Sequence, residues 1–337
     1  MAPTLLTSAE DIFRKDDNFA GYKNIIAEFP HGSRLISTRE HPDGKEKVYL
    51  LKCAQFEDGC VLVQGELNAM SEIYATAPGF IPKPYTWGTC HLDDTKVHFF
   101  ISEFIDFSGK LPEPDRLCRK LVDLHQTSVS PTAKFRFHVT TCQGRTAQSI
   151  PWEKLDLGLD AETNGPWKNF EILAPRCIEA VVPRLIGALE RGGCKVKPRL
   201  IHGDLWEGNT GTSLETGDIY IFDSAAIYAH NEMEIGNWRC RYNNIHDPVY
   251  TQTYLVLVPP SDPYEEWDDR NRLYSVYYNV IYSVNHRYQG TAVRQTAYDD
   301  LYYLINKYSP FDEGAGPPLL ASNERVKLPG ERDHTRA

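Results

Sequence analysis

Short runs of alternating polar and apolar residues fill the first hundred positions of the chain, and helical spacing dominates the remainder. From Lys47 the run KVYLLKC puts Val48, Leu50 and Lys52 on one face of a strand and Tyr49, Leu51 and Cys53 on the other. Lys52 therefore occupies a position where a core residue is expected. In VQGELNAMSEIYATAPGF, Glu66, Met70 and Ile73 recur at three-to-four spacing along one side of a helix that Pro78 and Gly79 end. Glu66 points inward by the same spacing. The run VHFFISEFI, from Val97 to Ile105, reads as a buried strand, and the polar, proline-bearing DFSGKLPEP after it reads as a connector between two lobes.

Beyond that connector, Leu117, Leu121 and Leu124 come after Pro112 and Pro114 at helical spacing. Ile178, Val182, Leu185 and Leu189 continue the apolar pattern up to Gly192 and Gly193, with Pro183 predicting a kink or break. IYIFD forms a short strand, after which Leu273, Tyr277, Val280 and Val284 fall on one helical stripe. The tyrosines between Tyr274 and Tyr308 read as helix packing rather than as a recognition surface. From Asp312 to Ala337 Gly, Pro and charge mix without period, which predicts a mobile tail. The pattern as a whole predicts an α+β, bilobal architecture: a β-rich lobe with one prominent helix over residues 1–104, a mainly helical lobe over 105–311, and the tail over 312–337.

Composition narrows the function classes. The 337 residues are 41% hydrophobic and 24% charged, enough apolar surface for real cores. A formal charge of −10 without any basic run argues against duplex nucleic acid or an anionic membrane as the main partner. Eight cysteines lie scattered without a C-x-x-C pair, the pattern of free thiols rather than of disulfides or a zinc site. No secretory signal and no apolar stretch of bilayer-spanning length occurs, so a cytoplasmic location is expected.

The chemistry gathers in IHGDLWEGNTGT and at the end of IYIFD. His202, Asp204 and Asn209 stand in the spacing H-x-D-x-x-x-x-N, and Asp223 leaves a strand shortly after. An acid, an amide five positions on and a second acid are what phosphoryl transfer asks for. The first acid takes or orients the proton of the attacking hydroxyl, while the amide and the second acid offer oxygens to Mg²⁺. Alternation puts Asp223 on the apolar face of Ile219 and Ile221, where a carboxylate is costly unless a metal neutralises it. Lys52 and Glu66 are similarly costly alone, yet as a pair they would hold an ammonium against nucleotide phosphates. An Asp and an Asn five apart arise by chance in many loops, and a lone strand lysine usually reaches solvent. The ordered set Lys52, Glu66, Asp204, Asn209, Asp223 carries the argument. Gly32 and Ser33 are the remaining phosphate-binding candidates, as a turn whose amides and hydroxyl face phosphate, against the alternative of a plain β-turn.

At these residues the sequence resembles the fructosamine kinase (ketosamine 3-kinase) family. The resemblance rests on LIHGDLWEGNTGT, IFDSAAIYAHNEMEIG, KFRFHVTTCQG, QGELNAMSEI and FIPKPYTWG, in that family's order from about Tyr49 to Arg287. H-G-D-L-W is more specific than the H-G-D shared with choline kinases and aminoglycoside phosphotransferases, and the F-H-V-T-T block narrows it further. The resemblance implies a protein-kinase-like fold whose first lobe binds ATP with Mg²⁺. It also implies phosphorylation of the 3-hydroxyl of a ketosamine, free or on a glycated protein lysine, which leads to deglycation. By that likeness Asp204 is the catalytic base and Asn209 and Asp223 hold metal. By the same likeness Lys52 with Glu66 orients the phosphates and Trp206 faces the substrate; Gly32, Ser33 and Glu103 are further candidates for the nucleotide and His202 for the substrate. Trp206 packed behind the loop is an equal alternative. The family's phosphate-loop cysteine has no counterpart between His31 and Arg39, so its redox switch is not expected. Neither nucleic acid nor membrane is expected as a partner, and the chain is expected to be a monomer or weak dimer. The competing readings are a small-molecule hydroxyl kinase of the aminoglycoside or choline kinase type, and a catalytically silent kinase-like binding protein.

Overall fold

The computed structural model describes residues 32–38, 47–92, 95–144, 146–148, 157–193, 196–286 and 290–312. Strands β1 (Gly32–Thr38), β2 (Lys47–Gln55), β3 (Pro84–Leu92) and β4 (Thr95–Glu103) form an antiparallel sheet in the order β1-β2-β4-β3. Helix α1 (Phe56–Thr76) leaves β2 directly and lies against the sheet. Register pairs Lys52 with Phe100 and Cys53 with Phe99. Directly opposed residues share a face, so Lys52 lies on the side where Phe100 joins Val63, Met70 and Ile73 of α1 in the core. Leu51, Cys53 and Phe99 are buried on the other side, so the alternation that singles out Lys52 is not an inside–outside alternation. The helix ends at Ala77, where the Ala77 amide donates to the Ile73 carbonyl and Pro78–Gly79 turn the chain, as the sequence predicts.

The connector is not a bare linker. Its residues Phe107–Ser108 form β5, which joins β9 (Thr210–Ser213) and β10 (Ile219–Ile221) in a sheet ordered β10-β9-β5. Helix α2 (Pro114–Thr127) begins where Glu113 caps it, accepting from the Asp115 and Arg116 amides, with Pro114 in the first turn. Leu117, Leu121 and Leu124 are fully buried. A small hairpin of β6 (Cys142–Gln143) and β7 (Thr146–Ala147) comes next, then α3 (Leu157–Asn164) and α4 (Lys168–Arg176). The irregularity predicted from Pro183 is present: a π turn over Cys177–Val181 separates α4 from α5 (Val182–Leu185). Pro183 has no N–H for the Glu179 carbonyl, and its ring crowds that carbonyl; the widened turn accommodates both.

Strand β8 (Arg199–Ile201) pairs with β11 (Ile227–Ala229), and α6 (Asn231–Glu234), α7 (Pro248–Leu257), α8 (Trp267–Asn285) and α9 (Gly290–Tyr308) complete the chain. Tyr274, Tyr277, Tyr278 and Tyr298 are buried in this helical part, as packing residues. The mixed α+β architecture is the one expected. The core that contains Val63, Met70 and Ile73 also contains Leu117, Ile201, Ile221 and Tyr278, so packing is continuous across the connector. We propose the lobe boundary just after β4. Beyond Asp312 the tail lies outside the described residues, and the side chains of Cys90 and Cys194 do too; the other six cysteines are free thiols.

Candidate active site

A cavity of about 430 Å³ is lined by Lys52, Glu66, Asp204, Asn209 and Asp223, together with Gln143 and Trp206. Five side chains separated by up to 171 positions thus meet in one crevice. Lys52 Nζ donates to Glu66 Oε1 at 2.6 Å and to Asp223 Oδ1 at 2.9 Å. Burial alone would pull the Lys52 ammonium down, but the charges of Glu66 and Asp223 outweigh it and hold the group above its usual range. Lys52 is therefore a fixed cation facing two carboxylates.

The segment from His202 to Asn209 leaves β8 and enters β9. Gly203 has φ +81°, and a Cβ there would stand 2.3 Å from the Ala225 carbonyl oxygen, so glycine is required for the turn. The turn sends His202 backwards into the core and Asp204 forwards into the cavity. Asp204 accepts from Gln143 Nε2 at 2.6 Å on Oδ1 and from Asn209 Nδ2 at 3.2 Å on Oδ2. Burial pushes its carboxyl up to about 7, against the Gln143 hydrogen bond and with the help of the Asp223 charge. Asn209 and Asp223 end up side by side because β9 and β10 are a hairpin. Thr210 pairs with Ile221, and the Phe222 amide donates to the Asn209 carbonyl at 3.0 Å just beyond the last pair.

Several expectations are corrected by this geometry. Asp223 is not buried on an apolar strand face: β10 stops at Ile221, Asp223 adopts φ +57°, and its side chain is 56% exposed. His202 does not reach the cavity; it is fully buried, its Nε2 sits 2.9 Å from the Phe222 carbonyl and its Nδ1 accepts the Asp204 amide at 3.2 Å. Burial holds it below its usual pKa, so it serves as a neutral brace for the loop. Gly32 and Ser33 lie in β1 opposite Cys53 and Lys52, in strand rather than in a turn. Glu103 is also away from the cluster. It closes β4, where its carboxylate accepts the Lys83 amide at 3.1 Å, and it does not line the cavity. Trp206 does line it, half-exposed, with its indole folded over Gly208, where a Cβ would come within 2.4 Å of the ring.

Sequence reasoning missed the groups that hold this loop. Glu234, fully buried in α6, accepts the His202 amide and, at 3.1 Å, the Gly203 amide. Trp238 Nε1 donates to the Leu205 carbonyl at 3.1 Å. The F-H-V-T-T block, unassigned beyond its specificity, packs on α1 where Gly65 leaves room: a Cβ there would lie 2.5 Å from the Thr140 carbonyl oxygen. The only hint in the sequence is the motif EMEIG, an acid between Met233 and Ile235, both core residues.

Comparison with known proteins places this arrangement. Residues 30–289 match the sequence profile described as fructosamine kinase. The chain belongs to the fructosamine kinase family. Within it, the chain is similar to the protein-ribulosamine 3-kinase, chloroplastic, of rice (Oryza sativa subsp. indica), with 28% identity over 237 residues. That alignment covers 66% of this chain and 65% of the rice protein, slightly under two thirds of the relative's own length. It is also 22% identical to the ketosamine-3-kinase of Mus musculus over 249 residues, 64% of this chain and 77% of the mouse protein. Among solved structures, a candidate fructosamine-3-kinase from Thermobifida fusca superposes with a TM-score of 0.60 at 16% identity, covering 84% of this chain and 98% of that one. A thermostable aminoglycoside phosphotransferase, in ternary complex with AMP-PNP and hygromycin B, gives 0.53 at 14%, covering 84% and 97%. The fructosamine kinase fold is thus that of the kinase-like phosphotransferases. Among the described residues, no helix is long and apolar enough to cross a membrane.

Proposed function

We propose that the protein is an ATP-dependent ketosamine kinase that phosphorylates the 3-hydroxyl of ribulosamine or fructosamine adducts of lysine, the step that leads to deglycation. The observation that carries this reading is the convergence of Lys52, Glu66, Asp204, Asn209 and Asp223 on one cavity in a chain of the fructosamine kinase family. Lys52, oriented by Glu66, would hold the α and β phosphates. Asn209 spends its N–H groups on Asp204 and so keeps its carbonyl oxygen for another partner, and half-exposed Asp223 has a second oxygen beyond the one on Lys52. Two hard oxygens from two elements suit Mg²⁺, which takes few protein ligands and completes its shell with phosphate and water. Bound there with the nucleotide, it would neutralise charge across the phosphates.

Asp204 faces the cavity, where it would take the proton of an acceptor hydroxyl. Its raised carboxyl pKa makes it a better proton acceptor than an ordinary aspartate while leaving it ionised above about 7. Trp206 offers an aromatic face beside it for the sugar or its linker. Incubation of the purified chain with ribulosyl-lysine, ATP and Mg²⁺ tests the reading. ADP and a 3-phosphorylated product are expected, and an amino sugar or amino alcohol turned over in preference to every ketosamine would replace the acceptor assignment.

A further inference from the structure

The F-H-V-T-T block ends in a hairpin whose purpose the fold alone does not explain. Gln143, on β6, reaches from that hairpin across to Asp204 and donates from Nε2 to Oδ1 at 2.6 Å. Its own backbone carbonyl accepts from Asn285 Nδ2 at 3.0 Å, and Gly144, at φ +57°, lets the turn close against the Asn285 side chain. Gln143 is therefore anchored to the end of α8 and only 7% exposed. Facing a carboxylate, the amide must present its N–H, which turns Oε1 the other way, and that oxygen is buried with no hydrogen-bond partner among the described residues. A buried carbonyl left unpaired carries the desolvation penalty of that group with nothing in return. A side chain placed only for packing has no reason to carry that penalty, since a methionine would fill the same space without it.

We propose that Gln143 is a positioning residue for phosphoryl transfer. Resting on the assignment of Asp204 as base, the inference is that Gln143 and Asn209 grip the two carboxylate oxygens from opposite sides and fix the rotamer in which Asp204 meets the acceptor hydroxyl. No proton passes through Gln143. It acts through the orientation of Asp204, where a small misplacement of a reacting group costs up to roughly 10²-fold in rate.

The test is a double-mutant cycle on the full chain, read by steady-state kinetics and by thermal melting. Gln143→Met is expected to lower kcat by roughly 10- to 100-fold, to leave KM for ATP and for the acceptor within about twofold, and to keep a cooperative melt, because removal of the orphaned carbonyl offsets part of the lost hydrogen bond to Asp204. In an Asp204→Asn background the same substitution is expected to change residual turnover by less than about twofold, since nothing is left to orient. A kcat within about twofold of wild type, or an equal loss in both backgrounds, overturns the proposal. Should Gln143→Met lose its cooperative melt, Gln143→Asn carries the cycle: it keeps a polar amide but falls one methylene short of Asp204, with the same kcat loss expected and the same result overturning it. The cycle is run on whichever acceptor of a ketosamine, amino-sugar and amino-alcohol panel the wild type phosphorylates, or on slow ATP hydrolysis if there is none. Failure of the ketosamine reading then shows in the wild type alone, and failure of this inference shows only in the cycle.

Discussion

Replacing Asp204 by asparagine separates the cost of building the site from its use. In the native chain the carboxyl, pushed from its ordinary value of 3.8 up to about 7 by burial, binds a proton more tightly when folded than when unfolded. Between pH 4 and pH 7 the folded state therefore holds more protons than the unfolded one, and stability attributable to this group falls as pH rises through that window. About three units at about 1.4 kcal/mol each gives about 4 kcal/mol; water reaching the cavity side of the carboxyl screens part of this, and about 2 kcal/mol is expected. Asp204→Asn has no such dependence. Gln143, whose Oε1 has no partner among the described residues, can rotate its amide to accept the new N–H, so packing is preserved. In the absence of nucleotide and metal, the variant should melt about 3 °C above wild type at pH 8, with the gap closing towards pH 4. In the coupled ADP-release assay its turnover should fall by roughly 10²–10⁴-fold. A variant less stable than wild type at pH 8, a gap independent of pH, or turnover within a factor of ten would refute the reasoning.

Lys52→Met removes the cation that Glu66 and Asp223 share, and at saturating acceptor kcat/KM for ATP should fall at least about 10²-fold; a smaller loss in initial-rate measurements argues against phosphate contact. Glu234→Gln turns one of two loop-holding oxygens into a donor facing an N–H; a loss of about 2–3 kcal/mol in urea titration is expected, with slower turnover, and unchanged stability would show that the loop is held otherwise. His230 is buried, its ring nitrogens 2.9 Å from the Tyr274 and Ser261 hydroxyls, and burial pushes it down to about 4. The unfolded chain therefore binds the extra proton between pH 6.5 and 4, and stability falls as pH drops through that range by about 3 kcal/mol. His230→Gln should flatten that slope in denaturant titrations at pH 7 and 4.5; an unaltered slope would place the acid sensitivity elsewhere.

Much of the site is legible in the chain because its parts are either adjacent in sequence or displaced from an obvious period. Lys52 and Glu66 stand out as charges on inward positions of a strand and a helix, and both are where that spacing puts them. The errors come from backbone directions that no period encodes. Alternation through IYIFD carries Asp223 onto an apolar face, whereas the strand stops two residues earlier and a positive φ swings the side chain towards solvent. His202 stands two positions from Asp204, yet the turn at Gly203 sends the two side chains to opposite sides of the loop. The braces are the least legible. Glu234 belongs to a four-residue helix, too short for a periodic signal, and Gln143 acts across 61 positions that only the tertiary fold brings together. At fold level the strands, the α1 stop and the Pro183 irregularity are visible, while the β5 pairing is hidden in a segment whose polarity reads as linker.

The uninterrupted packing from Met70 and Ile73 through Phe80 to Ile221 and Tyr278 bears on how the molecule can be handled. Severing the polypeptide near Asp106 would strip oily surface from both fragments at once, so neither half is a promising stand-alone expression product. The same seam sets a cost on any wide parting of the crevice walls, because opening them would bring water onto that shared interior.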